Sequence, residues 1–245
     1  MKLNIWRLNA SGSAFSTFTI GSRKEHNACC LTFDEGPDDA KSFVAMGCES
    51  GAVKVFDIEK QHVSKFDGHR NKVTCVTGHP FGHIFASGGN DCLVKLWDSR
   101  VQQGKPIQRH DGHTGGITAI MCTPDGRKLF TGSDDCSIQV WDLSASKVSA
   151  KLMGHTSKIT AFGIHPNKHM LASSANDKVV KIWNTRTYDL NTTTDFDWKD
   201  QSVVGLQFHN KITNGYMRIL VFEEVLKYIC FLCFFFFLST KCFLL

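Results

Sequence analysis

The sequence predicts an all-β fold built from repeated four-stranded sheets, and three observations support this prediction. Three Gly-His pairs of the 245-residue chain are each followed by a tryptophan 28 residues after the histidine. Short stretches of alternating apolar residues lie between the two landmarks, as in strands with one buried face. A repeat of roughly 40 residues with these landmarks indicates an array of similar units, each a sheet of four short strands.

The three repeats keep the same landmarks at the same offsets. They open at Gly68-His69, Gly112-His113 and Gly154-His155, and they close at Trp97-Asp98, Trp141-Asp142 and Trp183-Asn184. A proline, at which the chain is expected to turn between two strands, stands eleven residues after each histidine: Pro80, Pro124 and Pro166. The agreement of three copies predicts three sheets of the same topology, which we call blades.

Each repeat also carries a hydroxyl residue ten positions before its tryptophan and an aspartate six positions before it. The whole pattern resembles that of WD40-repeat β-propeller proteins. The resemblance implies that each histidine bridges the aspartate and the hydroxyl, and that the hydroxyl accepts the indole N–H. The structural tetrads implied in this way are His69, Ser87, Asp91 and Trp97; His113, Thr131, Asp135 and Trp141; and His155, Ser173, Asp177 and Trp183.

A fourth copy of the repeat is degenerate. It runs from His26 to Asp57, has Ser50 where the others have aspartate, and contains the insertion Glu35–Asp39 in its first turn. The sequence therefore predicts an incomplete WD40 β-propeller of about four blades, with partial blades at both ends and a non-propeller hydrophobic tail. The predicted bounds are a part-blade at 1–25, blades at 26–67, 68–111, 112–153 and 154–200, a part-blade at 201–209 and the tail at 210–245.

A histidine, a serine and an aspartate also form the catalytic set of many hydrolases. Catalysis needs one nucleophile and one base in a cleft, whereas this chain carries three equivalent sets at a fixed interval. The sequence also has no phosphate-binding glycine loop followed by Lys-Ser/Thr and no H-E-x-x-H motif. We therefore expect no enzymatic activity, no catalytic residues and no cofactor.

The composition is that of an ordinary globular protein, with 42% apolar and 21% charged residues and a net charge of +5. The first residues do not resemble a secretory signal, so we expect a cytoplasmic protein whose ten cysteines are reduced. Cys230 and Cys233 form a C-x-x-C pair, but no second pair stands at the spacing of a zinc site, and no metal is expected.

Protein binding is the expected function, because the strands of a blade are committed to their sheets and the loops remain exposed. In the WD40 pattern, the loop after Gly-His and the turn before the tetrad aspartate share one face. The alternative for each residue is an ordinary solvated loop. The candidate partner-binding residues are Arg70, Asn71, Lys72, Asn90, Thr114, Gly115, Asp134, Thr156, Ser157, Lys158 and Asn176.

Nucleic-acid binding is a minor alternative. It would require clustered basic residues interleaved with aromatic stacking platforms. Lys54, Lys95 and Lys181 stand instead at equivalent positions of three repeats, which favours a role inside the blades. Nucleic acid is therefore an unlikely partner.

Several stretches look like consecutive blades of the regulatory subunits of katanin, among them His-Pro-Phe-Gly at 79–82, Phe-Ala-Ser-Gly at 85–88 and Val-Lys-Leu-Trp-Asp-Ser-Arg at 94–100. The resemblance covers about residues 1–209. It implies a non-catalytic subunit that targets a microtubule-severing ATPase, with the katanin ATPase, tubulin or microtubules and centrosomal proteins as partners. It also implies the cytoskeleton, at centrosomes or spindle poles, as the location.

The katanin regulatory family engages the ATPase through a carboxy-terminal helical region that has no counterpart in this sequence, so binding of the ATPase stays open. The alternative is a generic WD40 adaptor in a ubiquitin-ligase, trafficking or RNA-processing assembly.

The tail departs from the repeat pattern at about Lys211. Its apolar run, Tyr228–Leu238, is eleven residues long, whereas a helix needs about 20 to span a bilayer. The abrupt change favours a gene-model artefact over a membrane anchor, so membrane contact is expected only if the tail is genuine. A five-bladed ring closed by Val203–His209, Met217–Phe222 and the first strands is also conceivable; we favour an incomplete seven-bladed propeller.

Overall fold

The computed structural model describes the greater part of the chain, in segments. The described residues are 2–9, 12–19, 28–34, 43–57, 60, 62–101, 105–165, 169–195, 203–208, 218–223 and 243–244. They form twenty-one β-strands and no helix. The chain divides into two units, Met1–Ile117 with Asp125–Arg127 and Thr118–Pro124 with Lys128–Leu245, and each is described by itself below.

The first unit holds a hairpin and two four-stranded sheets, all with antiparallel neighbours. The hairpin pairs β1 (Lys2–Asn9) with β2 (Gly12–Thr19). Blade I consists of β3 (Ala28–Asp34), β4 (Phe43–Cys48), β5 (Ala52–Asp57) and β6 (His62–Asp67). Blade II consists of β7 (Val73–Gly78), β8 (Ile84–Gly89), β9 (Leu93–Asp98) and β10 (Gln108–Asp111).

The second unit continues the series with two more four-stranded blades and a three-stranded sheet. Blade III consists of β11 (Ile117–Cys122), β12 (Lys128–Ser133), β13 (Ile138–Asp142) and β14 (Lys147–Leu152). Blade IV consists of β15 (Ile159–Ile164), β16 (Met170–Ala175), β17 (Val179–Asn184) and β18 (Leu190–Asp195). The last sheet orders β19 (Val203–Phe208), β20 (Arg218–Glu223) and β21 (Phe243–Leu244). The predicted all-β class with four-stranded blades is confirmed.

Burial differs between the inner and outer strands of a blade. β4 is buried at all six positions and β8 at five of six, whereas β14 is buried only at Leu152. A strand covered on both faces is expected to be apolar throughout, and an outer strand can carry polar side chains. The sequences agree, since β4 reads Phe-Val-Ala-Met-Gly-Cys and β14 reads Lys-Val-Ser-Ala-Lys-Leu.

The core of the first unit lies between blades I and II. Phe66 of blade I packs edge-on against Trp97 and Phe85 of blade II, with ring centroids 5.8 and 5.6 Å apart. These rings belong to a cluster of buried apolar residues: Phe43, Ala45, Val53, Val55, Phe66, Val73, Val76, Phe85 and Trp97. The tryptophan that closes each repeat is therefore part of the core as well as of the tetrad.

The core of the second unit has two clusters. One joins blades III and IV and includes Phe130, Ile159, Phe162 and Leu171. The other packs blade IV against β19 and consists of Ala161, Ala172, Val180, Ile182, Val203, Leu206 and Phe208. Blades III and IV are thus each covered by the first strand that follows them in the sequence.

The chain beyond residue 209 contributes to a sheet in the structure. β20 pairs antiparallel with β19, with Phe208 opposite Ile219. β1 and β2 form a two-stranded sheet separate from β19–β21. The apolar run Tyr228–Leu238, the Cys230–Cys233 pair and the insertion Glu35–Asp39 lie outside the described residues.

Within the described part of the chain, no helix is long and apolar enough to cross a membrane.

Candidate functional site: repeated tetrads and exposed loops

The tetrad of blade II joins three of its elements. His69 precedes β7, Ser87 lies in β8, Asp91 lies in the turn after β8, and Trp97 lies in β9. Ser87 Oγ is 2.7 Å from His69 Nε2 and accepts the Trp97 indole N–H at 2.8 Å. His69 Nδ1 is 2.8 Å from Asp91 Oδ1. These bonds connect the loop before the first strand to the second and third strands.

Blade IV repeats the same geometry. His155 Nδ1 lies 2.8 Å from Asp177 Oδ2, and His155 Nε2 lies 2.8 Å from Ser173 Oγ. Ser173 Oγ accepts the Trp183 indole N–H at 2.8 Å. Asp177 also accepts the backbone N–H of Thr156 at 2.9 Å. The carboxylate therefore holds the loop that follows Gly-His.

Blade III has a variant of this arrangement. Thr131 Oγ1 accepts the Trp141 indole N–H at 2.8 Å, and His113 is buried. Asp135 accepts the hydroxyl of Ser137 at 2.6 Å and its backbone N–H at 2.9 Å. Ser137 stands where blade II has Leu93, so the aspartate of blade III binds an additional hydroxyl group.

Burial and hydrogen bonding set the charge of the tetrads. Burial, partly offset by Asp91, lowers the pKa of His69 below its ordinary value. Burial opposes ionisation of Asp91, but the Arg70 backbone N–H and the His69 side chain bring its pKa below the usual range. The pKa values of His155 and Asp177 shift in the same directions for the same reasons. A neutral imidazole with its proton on Nδ1 then donates to the carboxylate and accepts the serine O–H on Nε2.

The hydroxyls of the tetrads are closed off from solvent. Ser87, Thr131 and Ser173 are all 0% exposed. A nucleophile has to reach its substrate, and these hydroxyls are engaged by a buried tryptophan. The tetrads therefore act as internal hydrogen-bond networks that hold each blade together.

The end of a blade that carries the tetrad histidine and aspartate, here called the tetrad end, also brings two exposed loops together. In blade II the backbone N–H of Asn90 donates to the carbonyl of Lys72 at 2.9 Å. In blade IV the N–H of Asn176 donates to the carbonyl of Lys158 at 3.0 Å. The loop after Gly-His and the turn before the aspartate are thus neighbours in both blades.

Most of the candidate partner-binding residues are accessible in the structure. The exposed ones are Arg70, Asn71, Asn90, Thr114, Asp134, Thr156, Lys158 and Asn176. Lys72, Gly115 and Ser157 are partly buried. Lys72 Nζ lies 3.9 Å from a carboxylate oxygen of Glu49, a solvent-exposed pair. The loops therefore offer donors, acceptors and charges of both signs.

Comparison with known proteins assigns the repeats. The family model described as "WD domain, G-beta repeat" matches residues 60–98, 104–142 and 146–184. The chain carries WD40 repeats. The matched segments end at Asp98, Asp142 and Asn184, directly after the tetrad tryptophans. The strands in the matched segments, β6–β9, β10–β13 and β14–β17, therefore form WD40 repeats.

Curated relatives match over short segments. The WD repeat-containing protein 18 of Bos taurus is 44% identical over 50 residues, which are 20% of this chain and 12% of that protein. The UBP9-binding protein bun62 of Schizosaccharomyces pombe is 34% identical over 82 residues, 31% of this chain and 15% of that protein. The nuclear distribution protein nudF of Aspergillus niger is 52% identical over 33 residues, 14% of this chain and 7% of that protein. The chain thus spans only a small part of the length of these relatives.

A solved structure extends the likeness of the fold. A chain of the crystal structure of the mitotic checkpoint complex superposes with a TM-score of 0.72 and 21% sequence identity, and the match covers 91% of this chain and 71% of that one. The superposition supports a β-propeller-like fold, and identity at this level carries no functional assignment. None of the proteins named here is a katanin subunit, so the resemblance to katanin stays a prediction.

One set of recurring residues was missed by the sequence interpretation. The first strands of blades II, III and IV each carry a threonine five residues after the tetrad histidine: Thr74, Thr118 and Thr160. Thr74 Oγ1 donates to the Gly88 carbonyl at 3.0 Å, and Thr118 Oγ1 donates to the Gly132 carbonyl at 3.2 Å. The constant offset from the histidine is the signal that could have identified these WD40 positions.

The described side chains form no group of three or more histidine, cysteine, aspartate or glutamate residues that could hold a metal ion.

Proposed function

We propose that this chain is a non-catalytic WD40 adaptor that binds protein partners through the loops at the tetrad ends of its blades. The observation that supports the proposal is a difference between two sets of polar side chains, those of the tetrads and those of the neighbouring loops. The tetrad side chains satisfy one another inside the sheet, whereas the loops beside them expose Arg70, Asn90 and Thr156. Exposed loops on a rigid scaffold are common positions for binding residues.

The specific partner we propose is the katanin microtubule-severing complex, with this chain as a targeting or regulatory subunit at centrosomes or spindle poles. The support is the likeness of the stretches 79–82, 85–88 and 94–100 to katanin regulatory subunits. The exposed basic loop residues Arg70 and Lys158 add to it, since the surface of tubulin is acidic.

Co-sedimentation with stabilised microtubules and co-precipitation with recombinant katanin ATPase test this proposal. The full chain should bind at least one of the two, and the double variant Arg70→Ala/Lys158→Ala should bind several-fold more weakly. The control variant Lys147→Ala/Lys151→Ala also removes two exposed lysines, but from the outer strand β14. It should bind as well as the wild-type chain.

Failure of both interactions would remove the katanin assignment and leave the adaptor proposal to be tested separately. A second candidate is an adaptor in another assembly. The names of two relatives favour it: the UBP9-binding protein bun62, and the CCR4-associated factor 4 homolog of Vanderwaltozyma polyspora, which is 31% identical over 80 residues. In that case, a partner recovered from cell lysate should bind the Arg70→Ala/Lys158→Ala variant more weakly than the wild-type chain. Its binding to the Lys147→Ala/Lys151→Ala control should be unchanged. A partner that binds both variants equally would contradict the loop-binding proposal.

A further inference from the structure

Exposed apolar side chains are concentrated at one place in the first unit. Phe81 is 63% exposed, Ile107 is 53% exposed and Val101 is 50% exposed. All three belong to blade II, at the end opposite its tetrad: Phe81 lies between the first and second strands, and the other two lie between the third and fourth. Single exposed apolar residues are normal on a protein surface, whereas a group of them at one place indicates an interaction site.

Backbone hydrogen bonds hold the two loops side by side. The N–H of Ser99 donates to the carbonyl of His83 at 2.7 Å, which joins the loop of Val101 to the loop of Phe81. The N–H of Ile107 donates to the carbonyl of Leu96 at 2.7 Å. Ile107 is thereby anchored at the start of the outer strand, at the same end of the sheet. We call Phe81, Val101 and Ile107 the apolar patch.

The turn Asp125–Arg127, which belongs to the same unit, borders this patch. His79 Nε2 donates to the carbonyl of Gly126 at 2.8 Å, and a Cβ at Gly126 would lie 2.9 Å from the Phe81 ring. The Phe81 ring therefore lies close to the Gly126 backbone, in space that a side chain at position 126 would need. Most of the Phe81 side chain nevertheless stays open to solvent.

The sister blades show that the turn itself does not require apolar residues. Blade III has the same Pro-x-Gly turn at 124–126, with Asp125 in the place of Phe81. It has Ala145 in the place of Val101, but the start of its outer strand also carries an exposed apolar residue, Val148, opposite Trp141. Phe81 and Val101 are therefore specific to the surface of blade II, whereas the exposed apolar position of Ile107 recurs as Val148 in blade III and Leu190 in blade IV.

The charges around the patch are unbalanced. Lys105 and Arg127 are exposed, and neither side chain makes an ion pair with the residues that the structure describes. Asp98 is neutralised by Arg100, whose Nη2 lies 2.6 Å from its carboxylate. Asp125 accepts the backbone N–H of Arg127. Lys105 and Arg127 therefore stand near the apolar patch without an ion pair to a described residue, and with Asp125 counted they leave one excess positive charge.

We infer that this end of blade II is a second protein-docking site, which takes a short peptide segment that combines large apolar side chains with acidic residues. The apolar side chains of the peptide cover Phe81, Val101 and Ile107, and its carboxylates pair with Lys105 and Arg127. A patch of three side chains fits a short peptide segment better than the broad face of a folded partner. The inference does not depend on the partner proposed for the tetrad ends.

Panning of a random twelve-residue peptide library on the full chain tests the inference. The enriched peptides should contain aromatic or branched apolar residues and an excess of aspartate and glutamate. Synthetic versions of them should bind the variant Phe81→Asp/Ile107→Ser at least tenfold more weakly in fluorescence anisotropy. Both side chains are exposed and blade III has aspartate at the position of Phe81, so thermal unfolding of this variant is expected to stay close to that of the wild-type chain.

Two further variants make the test specific. Lys105→Glu/Arg127→Glu alters only exposed side chains and should lower the affinity for acidic peptides at least tenfold. Met153→Ser removes an exposed apolar side chain at the tetrad end. It should leave the affinity for the selected peptides unchanged.

The inference is overturned if no peptide is enriched, if the enriched peptides lack an acidic excess, or if they bind all variants equally. Binding of the wild-type chain to vesicles containing phosphatidylserine, lost in the same variants and without peptide selection, would assign the surface to a membrane instead.

Discussion

Each buried tetrad hydroxyl serves two partners. Ser87 Oγ contacts both His69 Nε2 and the Trp97 indole N–H, and it is 0% exposed. Removing it leaves a buried indole donor without an acceptor. An unsatisfied buried group costs about 1 to 3 kcal/mol, about twice the net gain from a typical intramolecular hydrogen bond.

Ser87→Ala should therefore lower the free energy of unfolding by about 1 to 3 kcal/mol, measured by urea denaturation. Ser149→Ala, at an exposed position of β14, is the control and should change stability by less than about 0.5 kcal/mol. Equal stability of the two variants would contradict the structural role of the tetrad.

The tetrad histidines also predict a dependence of stability on pH. Because burial lowers the pKa of His69 and His155, the unfolded chain binds more protons than the folded chain below the ordinary histidine pKa of about 6.5. The contribution of the neutral histidines is fully present above that pH and is lost as the pH falls towards the folded-state pKa. Urea unfolding should show falling stability from pH 7.5 to 5.5, and His69→Asn should reduce the slope. A flat profile would show that these histidines do not titrate differently on folding.

Among the described residues, Gln139 Oε1 is the one buried side-chain polar atom without a hydrogen-bond partner. The residue is only 3% exposed. The corresponding residue of blade II is Lys95, which donates to the carbonyl of Gly68. A buried carbonyl without a partner weakens the fold, and an apolar side chain of similar shape avoids this cost.

Gln139→Met should leave thermal stability unchanged or raise it, whereas Lys95→Met should lower it because the Gly68 carbonyl loses its donor. Differential scanning calorimetry measures the melting temperature of each variant against that of the wild-type chain. Marked destabilisation by Gln139→Met would indicate that Oε1 is satisfied by an ordered water molecule.

At the scale of elements, the blades depend on glycines in their second strands. A Cβ at Gly132 of β12 would lie 2.5 Å from Ile159 Cγ2 of β15, and a Cβ at Gly47 of β4 would lie 2.6 Å from Val73 Cγ1 of β7. Cβ atoms in proteins do not approach their neighbours so closely, and in a close-packed interior the neighbours have little room to move away. The second strand of one blade therefore lies directly against the first strand of the next.

Gly132→Ala should destabilise the fold by about 1 to 3 kcal/mol through overpacking. The double variant Gly132→Ala/Ile159→Ala should lose less than the sum of the two single changes, since the second change removes Ile159 Cγ2, the nearest of the crowding atoms, and leaves Ile159 Cβ at 2.7 Å. Urea unfolding of the four proteins gives the coupling energy. Strict additivity would mean that the two strands do not meet at this point.

The repeat offsets predict the residues that are hydrogen-bonded to one another in blades II and IV. His155, Ser173 and Trp183 are fixed relative to one another by the length of two strands and one turn, so their spacing in the sequence is constant. The close approach of Gly132 to Ile159 depends on how one sheet packs against the next, and the missing partner of Gln139 depends on its three-dimensional surroundings. Neither leaves a periodic signal in one sequence. The apolar patch was missed for a related reason, because Phe81 became informative only once its exposure was known.

At the scale of the molecule, blade IV needs the strand that follows it. Leu206 and Phe208 of β19 are buried against Ala161, Val180 and Ile182. A chain ending at Asp195 would expose that apolar face, and exposed faces of this kind favour aggregation. A chain ending at Glu223 keeps both β19 and β20.

The truncation after Asp195 should therefore bind the dye 1-anilinonaphthalene-8-sulfonate more strongly than the full chain and unfold at a lower temperature. The truncation after Glu223 should match the full chain in both measurements if β19 and β20 are sufficient cover for blade IV. Loss of cooperative unfolding in that second truncation would assign a packing role to residues 224–245. An unchanged melting temperature in the first would contradict the role of β19, because burial of its apolar side chains should add several kcal/mol, at about 1.5 to 3 kcal/mol for each large one.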